Sequence, residues 1–434
     1  MVCAYKKCNK DLSEDMSRVE VRTILPKSLS KALKSKFFVD WKTSGEASFH
    51  QECWDVILKS SRSWKKKPNI PHISGEEKIL IKEAAKTAEF FNSVEHIKKE
   101  AKRVAKMISS ARHCVAFTGA GISTSAGIGD YRGKSGKWTK MDQESIDVSS
   151  VFEHGDGEPS RKKMKTEETK NEEDEEGSDD YEEEDGVPYE SLRPTYTHEA
   201  LKKLLELGNL KYIISQNGDG LHTLSGIPQD KISELHGNVF AEKCERCGKQ
   251  YDRPYYVMDD IGSQYFEELE DYRKTDVKKP AYAVKCERCG LSHRTGKKCE
   301  DKKCRGYLID TIINFGDMLE DRIFDGAMDN ATECDVMLCL GSTLKVAPAS
   351  DLVESIMDKG RLVICNRQPT HLDKECSKQG RDGLPLGCRI FGDCDFLMKE
   401  VMAAVLTDTE LKTWEAGSVD RRIKYDSMRV KQQD

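Results

Sequence analysis

Val115-Ala116-Phe117-Thr118-Gly119-Ala120-Gly121-Ile122-Ser123-Thr124 is the stretch that decides the fold. Its first half is apolar without alternation, the reading of a strand buried on both faces of a parallel sheet. Its second half is a polar, glycine-bearing turn of the kind that ends such a strand and opens a helix. Three more runs repeat the pattern. Tyr212-Ile213-Ile214 passes into Ser215-Gln216-Asn217-Gly218-Asp219-Gly220, Val336-Met337-Leu338-Cys339-Leu340 into Gly341-Ser342-Thr343, and Leu362-Val363-Ile364 leads to Asn366. Residues 94–111 place apolar side chains at helical spacing, which predicts a helix packed beside the first strand, and 198–207 reads as another helix. Strands alternating with helices predict an open α/β sheet, and such sheets bind ligands beyond the carboxyl ends of their strands.

Gly119-x-Gly121 resembles a dinucleotide fingerprint, in which glycines allow a tight turn and close approach to a pyrophosphate. Alone the signal is weak. Thr124 stands where the third glycine belongs, and the acidic residue a dehydrogenase would need falls in a polar region, Lys140–Glu144, with no strand to carry it. An ordinary strand–helix turn would read the same way.

Outward from the turn, charged residues make up 34% of the chain against 37% hydrophobic, too much charge for a compact globule throughout. The acid is concentrated in 167–186, leaving a mildly basic remainder that suits contact with nucleic acid or nucleosomes. Met1–Lys6 lacks the apolar core of a signal peptide, and no apolar run approaches the roughly 20 residues that span a bilayer. The expectation is an intracellular, soluble chain with no membrane partner. Its sixteen cysteines then read as metal ligands before disulfides.

The organisation predicted is a Cys/His module at 1–60, a basic linker at 61–93 with Lys65-Lys66-Lys67-Pro68, an α/β core at 94–405 and a polar tail at 406–434. Two insertions interrupt the core. Residues 141–192 hold Arg161-Lys162-Lys163-Met164-Lys165 and then an acidic run, and are predicted to be disordered; 239–310 are cysteine-rich.

Gly119–Gly133 reads GAGISTSAGIGDYRG. After it, in order, come Gln216-Asn217-Gly218-Asp219-Gly220-Leu221-His222, Leu235-His236-Gly237-Asn238, Asn314-Phe315-Gly316-Asp317 and Gly341-Ser342-Thr343-Leu344-Lys345-Val346. This series resembles the catalytic core of the sirtuins over residues 98–400, the acidic insertion excepted. Asp310-Thr311-Ile312 resembles the nuclear class IV branch, as does Tyr131 less diagnostically. The resemblance implies a Rossmann-like open parallel sheet with a smaller zinc-binding insertion module. It also implies NAD-dependent deacylation of protein lysines, with release of nicotinamide and transfer of the acyl group to ADP-ribose, and a nuclear location.

It further implies the site. His236 matches the base that deprotonates a ribose hydroxyl, a role an imidazole suits by titrating near neutrality. Asn217 and Asp219 match the pair that orients the ribose and the nicotinamide amide, although the same residues favour plain turns. Gly119, Ala120, Gly121, Ser123 and Thr124 match the cofactor turn, and Asp130, Tyr131, Arg132 and Trp138 a mobile cofactor loop. A core tryptophan would explain Trp138 as well. Gln216 falls at the ribose, Gly218 near the nicotinamide pocket, Gly341, Ser342 and Thr343 at phosphate and ribose, Asn366, Arg367 and Gln368 at the adenosine ribose, and Cys394 at adenine. Val346 falls in the acyl-lysine cleft. The chain departs from the family's pattern at Gly129, usually proline, at Gly218, usually aliphatic or cysteine, and at Asp317, usually glutamate.

Two zinc sites are expected. Cys3, Cys8, His50 and Cys53 supply three thiolates and an imidazole, and resemble a treble-clef finger; DNA-end binding and protein binding fit it about equally. In the insertion, Cys244-x2-Cys247 is one pair. Cys286-x2-Cys289 repeats it almost letter for letter, so spacing alone favours it as the partner. Register against the family's final ligand instead favours Cys299 and Cys304, which run into Asp310-Thr311-Ile312, and Cys244, Cys247, Cys299 and Cys304 are the set chosen. Cys286 and Cys289 are then a spare pair that could complete another site with His293. Expected partners are acylated lysines, histones among them, and DNA or nucleosomes at the N-terminal module. Two other functions compete: mono-ADP-ribosylation in the same pocket, and a low-turnover NAD- or ADP-ribose-binding chromatin module. His236, Asn217 and Asp219 argue against the last.

Overall fold

The computed structural model describes residues 1–25, 29, 31–62, 73–129, 146–147, 160–161, 187–258, 279–356, 360–380 and 385–430. Its N-terminal part runs β1 (Arg18–Arg22), α1 (Lys31–Lys36), β2 (Glu46–His50), α2 (Gln51–Ser61), α3 (Gly75–Lys86) and β3 (Glu89–Phe91). The strands form an antiparallel sheet in the order β2-β1-β3. Val19 and Val21 of β1 face inward while their neighbours do not, the period of two that one buried face imposes. Trp41, Phe49, Trp54, Ile57, Ile73, Leu80, Ile81 and Ala84 complete that core.

The 61–93 stretch is therefore not all linker. Leu80, Ile81 and Ala84 share a helical stripe, Ser74 Oγ accepts from Glu77 N at 3.2 Å to cap α3, and β3 adds the third strand. The lysines masked the stripe because they lie just before it. Lys65–Pro68 fall outside the described residues.

The core continues with α4 (Val94–Ser110), β4 (Cys114–Thr118), the short antiparallel pair β5 (Ile146–Asp147) and β6 (Ser160–Arg161), α5 (Tyr196–Glu206), β7 (Tyr212–Ser215), α6 (Leu221–Leu224) and β8 (Ile232–Glu234). After the insertion come α7 (Asp321–Glu333), β13 (Val336–Leu340), α8 (Asp351–Glu354), β14 (Arg361–Cys365), β15 (Cys388–Ile390) and α9 (Cys394–Val405). Six parallel strands lie in the order β15-β14-β13-β4-β7-β8. Across the sheet the chain runs outward from β4 to one edge, then returns to build the other from β13. Order reverses between β4 and β13, the switch point at which doubly wound sheets open a ligand crevice.

All five residues of β4 and of β13 are buried, as the unalternating sequence required. Helices α4, α5 and α9 cover one face, with Val104, Leu201 and Val401 against Ala116, Ile213 and Leu338. Ala327, Ala331, Leu352 and Val353 from α7 and α8 cover the other, against Val115, Phe117 and Cys339. Cutting Leu338 to alanine would cost roughly 2–5 kcal/mol. The edges β8 and β15 were not visible in the sequence, being only three residues each.

The insertion carries β9 (Ala241–Cys244), β10 (Gln250–Asp252), β11 (Arg294–Lys298) and β12 (Tyr307–Asp310), an antiparallel sheet in the order β10-β9-β12-β11. Most of 141–192, with its expected disorder, lies outside the described residues. Its end is ordered against the core: Tyr189–Ser191 make a helical turn and Leu192 is buried with Leu221 and Leu224.

The polar tail needs the larger correction. Residues 406–434 include α10 (Asp408–Ala416) and α11 (Ser418–Met428), which fold back onto the core. Trp414 meets Tyr196 edge-on at 5.3 Å, Arg421 pairs with Glu199 at 2.7 Å, and Tyr425 is buried. Arg429 lies over the Phe240 ring at 3.5 Å and donates to the Arg253 carbonyl at 3.0 Å. These amphipathic side chains bury their stems and rings while averaging to a polar sequence.

Candidate active site and metal clusters

Strands β4 and β13 end together, with Thr118 paired to Leu340. This brings the first glycine turn against the third strand end: Gly119 N donates to the Leu340 carbonyl at 3.0 Å and Gly121 N to the Gly341 carbonyl at 2.8 Å. A Cβ on Gly119 would come within 2.8 Å of the Gly341 oxygen and Ser342 Cβ, and one on Gly121 within 2.7 Å of Gly341 Cα. The glycines thus serve packing between two strand ends as well as approach to a ligand. The same two strand ends wall a cleft of about 950 Å³.

Three loops furnish its polar groups. Asp219 Oδ2 accepts from Ser123 Oγ at 2.7 Å and Asp219 Oδ1 from Leu221 N at 2.9 Å, so the carboxylate is held between the first backbone N–H of α6 and the first turn. Asn217 Nδ2 donates to the Gly119 carbonyl and to Ser123 Oγ, both at 3.2 Å. Ser342 Oγ donates to Gln216 Oε1 at 2.9 Å, joining the second strand end to the third. Asn217 and Asp219 are 7% and 8% exposed yet line the cleft, so each is prepositioned by bonds to neighbours.

His236 Nδ1 lies 2.8 Å from the Gln216 carbonyl oxygen. A carbonyl only accepts, so Nδ1 carries the proton and Nε2 keeps the lone pair. Burial pushes this imidazole below its ordinary pKa, partly offset by the bond to Gln216. It is therefore neutral and able to accept a proton at pH 7. The next residue must be glycine: at φ +80°, a Cβ on Gly237 would fall 1.8 Å from the Thr311 oxygen. Asn238 closes the turn by donating to both Glu234 oxygens at 3.1 and 3.0 Å.

The cleft brings together His236, Asn217, Asp219, Gly119, Ala120, Gly121, Ser123, Thr124, Gln216, Gly218, Gly341, Ser342, Thr343, Asn366, Arg367, Gln368, Cys394 and Val346. Asp130, Tyr131, Arg132 and Trp138 lie outside the described residues. Of the departures, Gly129 has no atom within 4 Å of an added Cβ, whereas one on Gly218 would press Ile312 Cδ1 at 3.2 Å.

Several cleft residues were missed. Glu89 arrives from β3 of the N-terminal part and lies 3.7 Å from Arg367, while Phe90 N donates to the Arg367 carbonyl at 2.8 Å. Reading 61–93 as linker hid it. Tyr189 and Tyr256 line the cleft as a stacked pair 5.6 Å apart, and Tyr189 sits at the end of the stretch read as disordered. Phe315, whose motif marked it without giving it a role, and Met318, for which no signal stood out in the sequence, add an apolar rim.

Among the described residues three clusters could hold a metal, each with its ligand atoms within 4.8 Å of one another: Cys3, Cys8, His50 and Cys53; Cys244, Cys247, Cys299 and Cys304; and Cys286, Cys289, His293 and Asp317. Tetrahedral zinc, with bonds of roughly 2.0–2.3 Å, sets its ligand atoms roughly 3.3–3.8 Å apart. His50 Nδ1 lies 3.5 Å from Cys8 Sγ and 3.8 Å from Cys53 Sγ, while its Nε2 is 2.8 Å from the Asp11 carbonyl. Cys244 and Cys304 sulfurs are 3.5 Å apart, and Cys247 and Cys299 3.8 Å. The third cluster contains the spare pair and His293, and adds Asp317, the residue at which the Asn-Phe-Gly-Asp motif departs from the family's glutamate.

Among the described residues no helix is long and apolar enough to cross a membrane. A family model described as Sir2 matches residues 119–348. The chain is 33% identical over 290 residues to the NAD-dependent protein deacetylase SRT1 of Oryza sativa subsp. indica, covering 67% of this chain and 47% of that protein. It is 33% identical over 291 residues to the protein of the same name from Arabidopsis thaliana, covering 67% and 48%. To the NAD-dependent protein deacetylase Sirt6 of Drosophila melanogaster it is 30% identical over 291 residues, covering 67% and 73%. The chain thus spans about half the length of the two plant relatives.

Proposed function

Because the chain belongs to the Sir2 family, we propose that it is an NAD-dependent protein-lysine deacylase. The observation that carries this reading is His236: a neutral base on the wall of the cleft, its tautomer set by the Gln216 carbonyl, beside the buried pair Asn217 and Asp219. The cleft suits a dinucleotide by its own features, since Gly119, Gly121 and Gly341 leave no room for side chains at the switch point.

NAD supplies the activated bond to nicotinamide and the ribose that receives the acyl group. The chain's residues do the rest. His236 Nε2 takes the proton of a ribose hydroxyl and later returns it. The Asp219 carboxylate and Asn217 Oδ1 present acceptors to the nicotinamide amide and the ribose hydroxyls, Asn217 Nδ2 being held by the Gly119 carbonyl and Ser123 Oγ. Gly341, Ser342 and Thr343 hold phosphate and ribose, Asn366, Arg367 and Gln368 the adenosine ribose, and Cys394 the adenine. Asp130, Tyr131, Arg132 and Trp138, which match the family's cofactor-binding stretch by sequence, contact the cofactor in this reading. Val346 lines the path of an extended acyl-lysine peptide.

Zinc at Cys244, Cys247, Cys299 and Cys304 and at Cys3, Cys8, His50 and Cys53 is structural in this reading, because each quartet is closed. The basic run Arg161–Lys165 supports a nuclear location and chromatin substrates, histones included. The N-terminal module, taken as residues 1–91, meets nucleic acid or a chromatin protein.

Nicotinamide release, measured with and without acylated histone peptide, tests the activity. Release that requires peptide is the expected result, and His236→Ala should abolish deacylation of the peptide while NAD binding persists. Release that labels the protein with ADP-ribose, or binding without release, would replace deacylation by transfer or by a binding module. The acid limb of kcat/KM should fall below pH ~6.5, the ordinary imidazole value, because His236 must be unprotonated and burial lowers its pKa. An acid limb above that value would remove His236 as the base.

A further inference from the structure

Cys286-Glu287-Arg288-Cys289-Gly290 is a knuckle by its backbone as well as its letters. Gly290 N donates to the Cys286 carbonyl at 3.1 Å with Gly290 at φ +83°, as Gly248 N donates to Cys244 at 2.9 Å with φ +70°. Two thiols held this way need two more ligands. His293 and Asp317 supply them, the first from just beyond the knuckle and the second from the loop at the cleft mouth.

The distances have the tetrahedral span. Cys289 Sγ lies 3.3 Å from His293 Nε2, Cys286 Sγ 3.4 Å from Asp317 Oδ1, and His293 Nε2 3.3 Å from Asp317 Oδ2. The surroundings are those of a ligating imidazole. His293 Nδ1 faces the Asp310 carboxylate at 3.2 and 3.3 Å, and that carboxylate is fixed by Ile312 N at 2.8 Å. A carboxylate behind the histidine sets its tautomer and makes the other nitrogen a better donor to metal. Asp317 is likewise oriented, accepting from Asn314 N at 3.0 Å.

We propose that Cys286, Cys289, His293 and Asp317 bind a metal ion, zinc by their chemistry, that fastens the cleft-lining loop Asn314–Leu319 to the insertion. Two soft thiolates with an imidazole and one carboxylate suit zinc over calcium or magnesium, which take oxygen ligands. The loop so fastened presses on the knuckle elsewhere too, since a Cβ on Gly316 would meet the Arg288 oxygen at 3.1 Å. It carries Phe315 and Met318, 73% and 59% exposed at the cleft rim. The metal therefore positions an apolar rim where an acyl-lysine peptide enters, a consequence that rests on the deacylase reading; the site itself does not.

Zinc content of the purified full-length chain, measured after passage over a chelating resin, tests the site. Three equivalents per chain are expected, one for each cluster. Cys286→Ser/Cys289→Ser and, separately, Asp317→Ala should each lose one, and Asp317→Cys should keep it. Loss of the same equivalent in both variants, with Cys244, Cys247, Cys299 and Cys304 untouched, assigns it to this cluster. If neither variant folds, the unmutated chain decides: refilling with Co²⁺ should give visible bands from three tetrahedral sites. A content unchanged by either substitution, or a wild-type chain with only the other two clusters filled, overturns the proposal; in that case His293 is an imidazolium bridging Asp310 and Asp317. In an active enzyme the pair variant should raise the peptide KM about tenfold with NAD affinity unchanged. The metal count stands even if the chain proves to have no deacylase activity.

Discussion

The same hexapeptide, Lys-Cys-Glu-Arg-Cys-Gly, occurs at 243–248 and 285–290 and does different work in the two places. Both copies form a knuckle closed by a left-handed glycine. The first is completed by Cys299 and Cys304 within its own sheet, because β9 pairs with β12 and the chain between β11 and β12 lies beside it. The second is completed by His293 and by Asp317, which belongs to the cleft. A knuckle sequence therefore fixes half of a site, and the tertiary fold chooses the other half. The first copy's ligands brace the insertion alone; the second's reach the substrate side.

The largest break in this comparison should come from Cys299→Ser/Cys304→Ser. It should remove zinc from the first cluster and unfold the core, read as loss of cooperative melting, since a structural zinc site contributes folding energy outright. Cys286→Ser/Cys289→Ser should leave a cooperative transition. The reverse pattern would show that the repeated hexapeptides, not Cys299 and Cys304, make the main site.

Acid should act on neither knuckle first. Burial pulls His198 down to about 4 and His222 to about 3, their rings 4.7 Å apart and both enclosed. As pH falls below the ordinary value of about 6.5, the unfolded chain takes up these protons before the folded one. The contribution of these two imidazoles is thus whole above pH ~6.5 and lost toward the two lowered values, by on the order of 4 kcal/mol between pH 7 and pH 5, and Glu234, pushed up to about 7 by burial, offsets part of it by taking a proton in the folded state over the same window. Melting temperatures over that range should fall alike in wild type and in Cys286→Ser/Cys289→Ser, and His222→Gln should flatten the fall. A steeper fall in wild type alone would mean that the second knuckle releases its ion in that window.

The central strands, the strand-end motifs and the close cysteine pairs were legible because each is local: an unalternating apolar run, a glycine turn, two neighbouring thiols; the grouping of Cys244 and Cys247 with Cys299 and Cys304 came from the family's register, since spacing alone favoured Cys286 and Cys289. What was not legible depends on partners distant in sequence. Asp317 becomes a candidate ligand only because the loop after β12 meets a knuckle some 30 residues earlier, at Cys286. Glu89 reaches the cleft only because β3 pairs with β1 and lies against Arg367. The helices after 405 were hidden because Trp414, Arg421, Tyr425 and Arg429 contact the core with side chains that are only partly apolar.

The smallest test compares the two glycines directly. Gly248→Ala and Gly290→Ala each force a left-handed residue at a roughly equal cost, about 1 kcal/mol, since neither added Cβ comes within 3.4 Å of another group. Equal shifts in melting temperature would confirm that the knuckles are alike as local structures. A cost confined to Gly248 would mean that the second is held by its loop rather than by its turn.

The pairing of β4 with β13 has a consequence during synthesis. Cys114 of β4 lies opposite Val336, so most of the chain must be made before that flank of the strand is covered. Meanwhile β7 and β8 can add on the other side, leaving half a sheet with a bare apolar edge in its middle. The N-terminal sheet, complete by Phe91, cannot shield that edge, because it docks beside Arg367 and Phe391, which are made later still. The recovery of folded protein should accordingly be governed by how well the nascent chain is chaperoned between Thr118 and Val336.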